Sequence, residues 1–447
     1  MKHAATPSLR ARMREGISLP AVRNASFVQG EAARSVSGGP AARPVREHGE
    51  QRELICLAPE RIFLYTTSVG IRRADAVCPE EKGSLSLMGF ELPKYHAPDF
   101  DQLRFRNAPD VRFVPAPREG VAPEHYHAMS IYPEYFKVGG RWLLAEESRM
   151  DCVAALRDGK IAVVEFRSLK AGEPVAVGRT EDGSEGIYVY PDGFGGDRNM
   201  AETFAFRQGR SRETAYSMDY DSIYELLRYE KEHGRILWVM GPACAFDHDA
   251  RDAFSALVEG GYVHGLLAGN ALATHDLEAG YLRTALGQDI YTQRSVPNGH
   301  YNHLDTINAA RLYGSTAAFV EAGHVRDGII FQCIRHKVPY VLVGSVRDDG
   351  PLPEVYGNVY EGQDAMRALV KDATTIICMA STLHTVATGN MTPSYRVVNG
   401  VVRPVYFYSV DISEFAVNKL RDRGSLSVRT IVTNVQDFVV NVRKGVL

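Results

Sequence analysis

The chain has 447 residues, enough for two or three domains of ordinary size. Its 45% hydrophobic and 23% charged residues are a globular composition and exclude a wholly disordered chain, a collagen and a coiled coil. With 51 Lys and Arg against 54 Asp and Glu, the net charge of −3 gives no general attraction to nucleic acid, and no apolar run reaches the length of a membrane span.

Residues 1–50 carry Arg10, Arg12, Arg14, Arg23, Arg34, Arg43 and Arg46 among Ala, Ser, Gly and Pro, with almost no apolar periodicity. That texture predicts a disordered tail, with an Arg-rich targeting peptide as the sharper alternative. Residues 51–206 read as a β-rich domain, with short strands at 61–66, 111–114, 141–144 and 161–166. A hairpin is expected over 138–142 with its turn at Gly139-Gly140, and another over 169–179 turning near Gly172.

Residues 207–447 alternate helices with apolar strands. Helices are expected at 221–234 (capped by Asp219 or Asp221), 249–259, 277–286, 304–322 and 325–335. Strands are expected at 235–240, 262–268, 340–344, 374–380, 405–410 and 429–433. Runs of four to seven apolar residues between helices predict a parallel sheet covered on both faces.

In such a sheet, ligands bind beyond the carboxyl ends of the strands. Every expected strand exit is small or polar: Gly241-Pro242, Gly269-Asn270, Gly344-Ser345, Ala380-Ser381, Asp411 and Asn434. Those residues suit a nucleotide, because backbone must approach phosphate while amides and hydroxyls donate to it. Asp411 suits ribose hydroxyls or a helix N-cap; Ser381 and Thr382 suit a pyrophosphate or a cap; Asn270 suits a ribose, a carboxamide or a turn. Neither GxGxxG nor GxxxxGK[ST] is present, so the phosphate-binding arrangement differs from the ordinary fingerprints.

His125 and His127, His300 and His303, and Asp247-His248-Asp249 invite a metal, but no further ligand follows at suitable spacing and none is expected. The six cysteines contain no CxxC pair, which fits a reducing cytoplasm. Cys333 and Cys378 read as core residues, and Cys244, just past a strand, as the more exposed thiol.

Four stretches then become specific. They are GLLAGNALATHD at 265–276, VPYVLVGSVRDDGPLP at 338–353, LHTVATGN at 383–390, and VDI at 410–412 with KLRDRGS at 419–425. With MDC at 150–152 and ETFAF at 202–206, they resemble the LOR/SDH-related family of archaeal-type ornithine cyclodeaminases. They also resemble the C-terminal part of the cyanobacterial arginine dihydrolase/ornithine cyclodeaminases.

The resemblance implies an α/β fold: a parallel-sheet NAD-binding domain of deoxyhypusine-synthase-like type after a smaller β-rich domain. It implies NAD held by Asn270, Ala271, Asp348, Ala380, Ser381, Thr382, Leu383, Asp411, Asn434 and Val435. It implies hydride removal and return at Cα of a diamino acid, with ammonia loss and cyclisation. His275, Asp276 and Asp349 are the residues expected to transfer protons or bind ammonium. A cytoplasmic homo-oligomer, dimer or tetramer, acting on an amino acid without nucleic acid or membrane, is expected from the same resemblance.

The chain departs from the family pattern at 130–133, 246–249, 299–303 and Asn434. Those departures keep three other readings open. They are another amino acid or amine as substrate, a condensing transferase of the homospermidine-synthase kind, and a non-catalytic NAD sensor.

Overall fold

The computed structural model describes residues 90–194, 217–346, 348, 350–413 and 428–447. The expected tail at 1–50, the strand at 61–66 and the stretches at 202–206 and 419–425 lie outside the described residues.

The first described part is β-rich. Strands β1 (Arg112–Pro115), β2 (Glu134–Val138), β3 (Arg141–Leu144), β4 (Cys152–Arg157), β5 (Lys160–Glu165), β6 (Pro174–Val177) and β7 (Ile187–Val189) form two antiparallel sheets, ordered β1-β6-β4-β5 and β3-β2-β7. The β2–β3 hairpin turns at Gly139-Gly140, where φ of +58° and +79° needs glycine. The second expected hairpin does not form. Residues Phe166–Ser168 are a 3₁₀ turn, and β6 pairs with β1 and β4 instead.

The second part holds β8 (Ile236–Met240), β9 (Gly265–Gly269), a short β10–β11 hairpin (Thr284–Ala285, Gln288–Asp289), β12 (Tyr340–Val343) and β13 (Thr375–Met379). After them come a β14–β15 hairpin (Tyr395–Val398, Val401–Pro404), β16 (Tyr406–Asp411) and β17 (Val428–Val432). Among the described residues, six strands form one parallel sheet in the order β12-β9-β8-β13-β16-β17. Alternate side chains serve opposite faces, which is why these strands read as continuous apolar runs. Trp238, Met240, Leu266, Ile377, Tyr406 and Tyr408 pack with Phe254, Leu257 and Phe438 on one face. Leu237, Val239, Leu267, Ile376 and Phe407 pack with Met366 and Val370 on the other.

Four helix expectations are corrected, the first being the helix expected at 325–335, which starts only at Ile329. Asp219 and Asp221 lie inside the helix Ser217–His233 rather than at its cap. The helix expected at 277–286 is Asn270–Leu282 and starts directly at the end of β9, so residues 270–276 are helical rather than loop. The long helix expected at 304–322 is two, Asn302–Leu312 and Thr316–Glu321. They are split at Gly314 (φ +79°), and Ser315 caps the second through Ala318 N.

The two parts are joined by buried and half-buried polar contacts. Tyr395 Oη donates to the Ala145 carbonyl at 2.5 Å, Ser148 and Ser394 hydroxyls pair at 3.1 Å, and Arg367 faces Glu165 at 2.6 Å. No helix among the described residues is long and apolar enough to cross a membrane.

Candidate functional site

The chain runs β8, β9, β12 outward, then returns to the other side of β8 with β13, β16 and β17. The strand order therefore reverses between β8 and β13, and a doubly wound sheet opens a crevice at that point. Gly241 leaves β8 and donates to the Met379 carbonyl at 2.8 Å; Ala380 leaves β13 in the left-handed conformation, φ +52°. A Cβ at Gly241 would overlap the Ala380 carbonyl oxygen. Gly241→Ala is expected to force the two exits apart and to cost about 1–3 kcal/mol, as overpacking does, read as a lower urea midpoint.

Ser381 stands at the N-cap position of the helix Thr382–Met391 but makes no capping bond with its side chain. Its hydroxyl pairs instead with His384 Nδ1 at 2.9 Å. His384 lies over β9: its Cε1 is 3.1 Å from where a Cβ of Gly269 would be, so a larger residue there would press on the ring. Burial pushes the His384 imidazole below its usual pKa, while the Asp348 charge pulls the other way. His384 was not singled out from sequence, although it follows the expected Ala380-to-Leu383 segment by one residue.

The other expected nucleotide residues stand on the same carboxyl edge. Asn270 opens the helix after β9, and its Oδ1 accepts from Leu352 N at 3.0 Å and Thr274 Oγ1 at 3.2 Å, tying down the loop after β12. Ala271 follows in the same turn. Asp348 Oδ2 accepts from Ser345 N at 2.7 Å. Thr382 and Leu383 are exposed at the crevice helix. Asp411 ends β16, and its Oδ1 accepts from Ser413 N at 2.9 Å. Asn434 caps the helix Val435–Val446 through Gln436 N at 2.8 Å, and Val435 is buried as its first residue. Asp349 lies outside the described residues.

His275 sits about 7.5 Å along the helix from Asn270, five residues at the α-helical rise. Its ring faces Phe246 (5.3 Å between centroids), from the segment after β8, and His303 (6.2 Å), from the helix Asn302–Leu312. Its Nδ1 is 3.0 Å from Oε2 of Glu278, a fully buried carboxylate that sequence reasoning missed. The signal was present: His275 and Glu278 are three apart, on one face of a helix.

Asp276 is engaged differently. It is fully buried, and Oδ1 accepts from Arg251 Nε at 2.7 Å and Ile329 N at 2.9 Å, while Oδ2 accepts from Ile330 N at 2.7 Å. The carboxylate thus satisfies the first amides of the helix Ile329–Arg335 and neutralises an arginine that is itself 4% exposed.

Cys244 is not the exposed thiol expected of it. It is fully buried in the 3₁₀ turn after β8, and burial pushes its pKa up to about 12. Cys152, Cys333 and Cys378 are buried as well, and burial raises each. None of these four holds a thiolate at neutral pH. Among the described residues, no three His, Cys, Asp or Glu side chains gather as a metal site.

Fold and edge together define a doubly wound nucleotide-type α/β protein with an added β-rich part. The family description "Arginine dihydrolase ArgZ-like, C-terminal, Rossmann fold" matches residues 222–442. The ornithine cyclodeaminase of Methanopyrus kandleri is 36% identical over 340 residues, covering 75% of this chain and 78% of that protein. The bifunctional arginine dihydrolase/ornithine cyclodeaminase AgrE of Nostoc sp. is 33% identical over 336 residues, 74% of this chain and 46% of that protein. A crystal structure of a LOR/SDH protein from Methanococcus maripaludis superposes with a TM-score of 0.67 at 33% identity, covering 76% of this chain and 98% of that one. The chain belongs to the family of archaeal ornithine cyclodeaminases and ArgZ-like C-terminal domains, as its motifs indicated.

Proposed function

We propose that this chain is an NAD-dependent ornithine cyclodeaminase, forming proline from ornithine with release of ammonia. The observation that carries this reading is the 36% identity to a protein of that name over three quarters of the chain. The crevice supports it physically. The helix Thr382–Met391 opens at this edge with no side chain capping its first amides, the arrangement that suits a diphosphate.

The residues that would hold the nucleotide are Asn270, Ala271, Asp348, Ala380, Ser381, Thr382, Leu383, Asp411, Asn434 and Val435. When bound, NAD supplies reversible hydride chemistry at the substrate Cα, so ring closure and ammonia loss involve no net oxidation. His275 exchanges a proton with a substrate amine. Phe246 and the buried surroundings of His275 keep water from that amine. Asp276 organises the helix beneath rather than touching substrate, and Asp349 is the remaining candidate for holding the ammonium group.

The test is turnover of Cα-deuterated ornithine by the purified full chain with NAD, read by mass spectrometry. Release of ammonia with proline that keeps its deuterium is expected. Proline without deuterium would exclude internal hydride return, and no ammonia at all would remove ornithine as substrate. One observation favours a neighbouring substrate: two of the segments that depart from the family pattern, at 246–249 and 299–303, supply the rings packed on His275. Ammonia released from another diamino acid in the same assay, but not from ornithine, would select that reading.

A further inference from the structure

We infer that Glu278 is a positioning residue for His275. It fixes the ring with Nδ1 protonated toward the carboxylate and Nε2 left as the base for a substrate amine. The inference deepens the reading above and rests on it for the identity of that amine; the assignment of the ring nitrogens rests on the network alone.

Burying a carboxylate completely is costly unless its oxygens are hydrogen-bonded. Glu278 meets that condition on both oxygens. Oε1 accepts from Thr284 Oγ1 at 2.8 Å and from Gly287 N at 3.2 Å; Oε2 accepts from Leu286 N at 3.2 Å and lies 3.0 Å from His275 Nδ1. Each oxygen already faces a backbone N–H, so the carboxylate is the acceptor and the His275 Nδ1–H is the donor. In the neutral ring that leaves Nε2 without a hydrogen, the form a general base needs.

The network continues outward. Thr284 Oγ1 accepts from Asn302 Nδ2 at 2.8 Å, and Asn302 begins the helix that carries His303. The β10–β11 hairpin contributes backbone at Leu286 and Gly287, with φ of +53° and +72° aiming consecutive amides at one carboxylate. A hairpin, a helix start and a helix face therefore converge on one buried acid, and the ring it touches is the one beside Phe246 and His303. A carboxylate needed only to hold the hairpin has no requirement for a histidine one helical turn away.

Selective ¹⁵N labelling of histidine in the full chain, with His275→Asn to assign its signals, reads the tautomer directly. The wild type is expected to show His275 protonated at Nδ1, and Glu278→Gln to show a mixture of tautomers. With ornithine and NAD, Glu278→Gln is expected to lower kcat by about 10²-fold or more while KM changes little, because a mispositioned base loses transition-state rather than ground-state interactions. Glu278→Asp, which keeps the charge, is expected to recover part of kcat.

An Nε2-protonated His275 in the wild type overturns the inference, whether or not any variant folds. So does a folded Glu278→Gln chain with unchanged kcat. If ornithine is not turned over, the cyclodeaminase reading fails, and the tautomer measurement still decides this one.

Discussion

His275→Ala is expected to lower ornithine turnover by about 10²–10⁴-fold, the range lost when a general acid or base is removed. The fold is expected to survive. Among the described residues His275 makes one polar side-chain contact, to Glu278, whose Oε2 retains Leu286 N when the imidazole is gone. The rings of Phe246 and His303 stand 5.3 and 6.2 Å from its centroid, a space that water enters when the ring is removed. The residues proposed to hold the nucleotide lie at the strand exits, so NAD affinity is expected to stay within a few-fold of wild type. The measurement pairs kcat with NAD titration by protein fluorescence. Unchanged kcat would remove His275 from the chemistry, and lost NAD binding would show that it acts through the crevice instead.

The crevice was legible in the sequence because it is made by the backbone at strand ends. A run such as Ile236–Met240 closed by Gly241-Pro242, or Thr375–Met379 closed by Ala380-Ser381, marks both the strand and its exit. What escaped was tertiary. The helix Asn270–Leu282 has no capping side chain, since Gly269 holds its N-cap position, so its first seven residues read as loop. Glu278 carries no mark in the sequence beyond its place three residues after His275; its partners Thr284, Leu286 and Gly287 come from a two-residue-per-strand hairpin too short to be read. His384 acquires its role from Gly269, more than a hundred residues earlier, which only sheet order brings beside it. Position after a strand does not mean exposure for Cys244, because the 3₁₀ turn Pro242–Ala245 folds it back into the core.

Asp276, the neighbour of His275, is expected to fail in the opposite way: its loss should damage the fold before the chemistry. Asp276→Ala removes the acceptor of Arg251 Nε and of the amides of Ile329 and Ile330 in one step. Arg251 stays buried with Asp327 as its remaining carboxylate, and Asp327 is largely exposed and screened by solvent. Breaking a buried pair by removing one partner costs about 3–5 kcal/mol, because a charge is left without compensation. The expected result is a urea midpoint lowered by that amount of free energy, with the residual folded fraction still binding NAD. Arg251→Met with Asp276→Leu is expected to recover part of the loss, because an apolar pair leaves no buried charge. The amides of Ile329 and Ile330 remain unpaired in that double variant, which is why recovery is partial. Asp276→Ala with wild-type stability and no turnover would reverse the assignment and place the carboxylate in contact with substrate. The two adjacent residues thus make separable predictions, one read in kcat at constant stability and the other in stability.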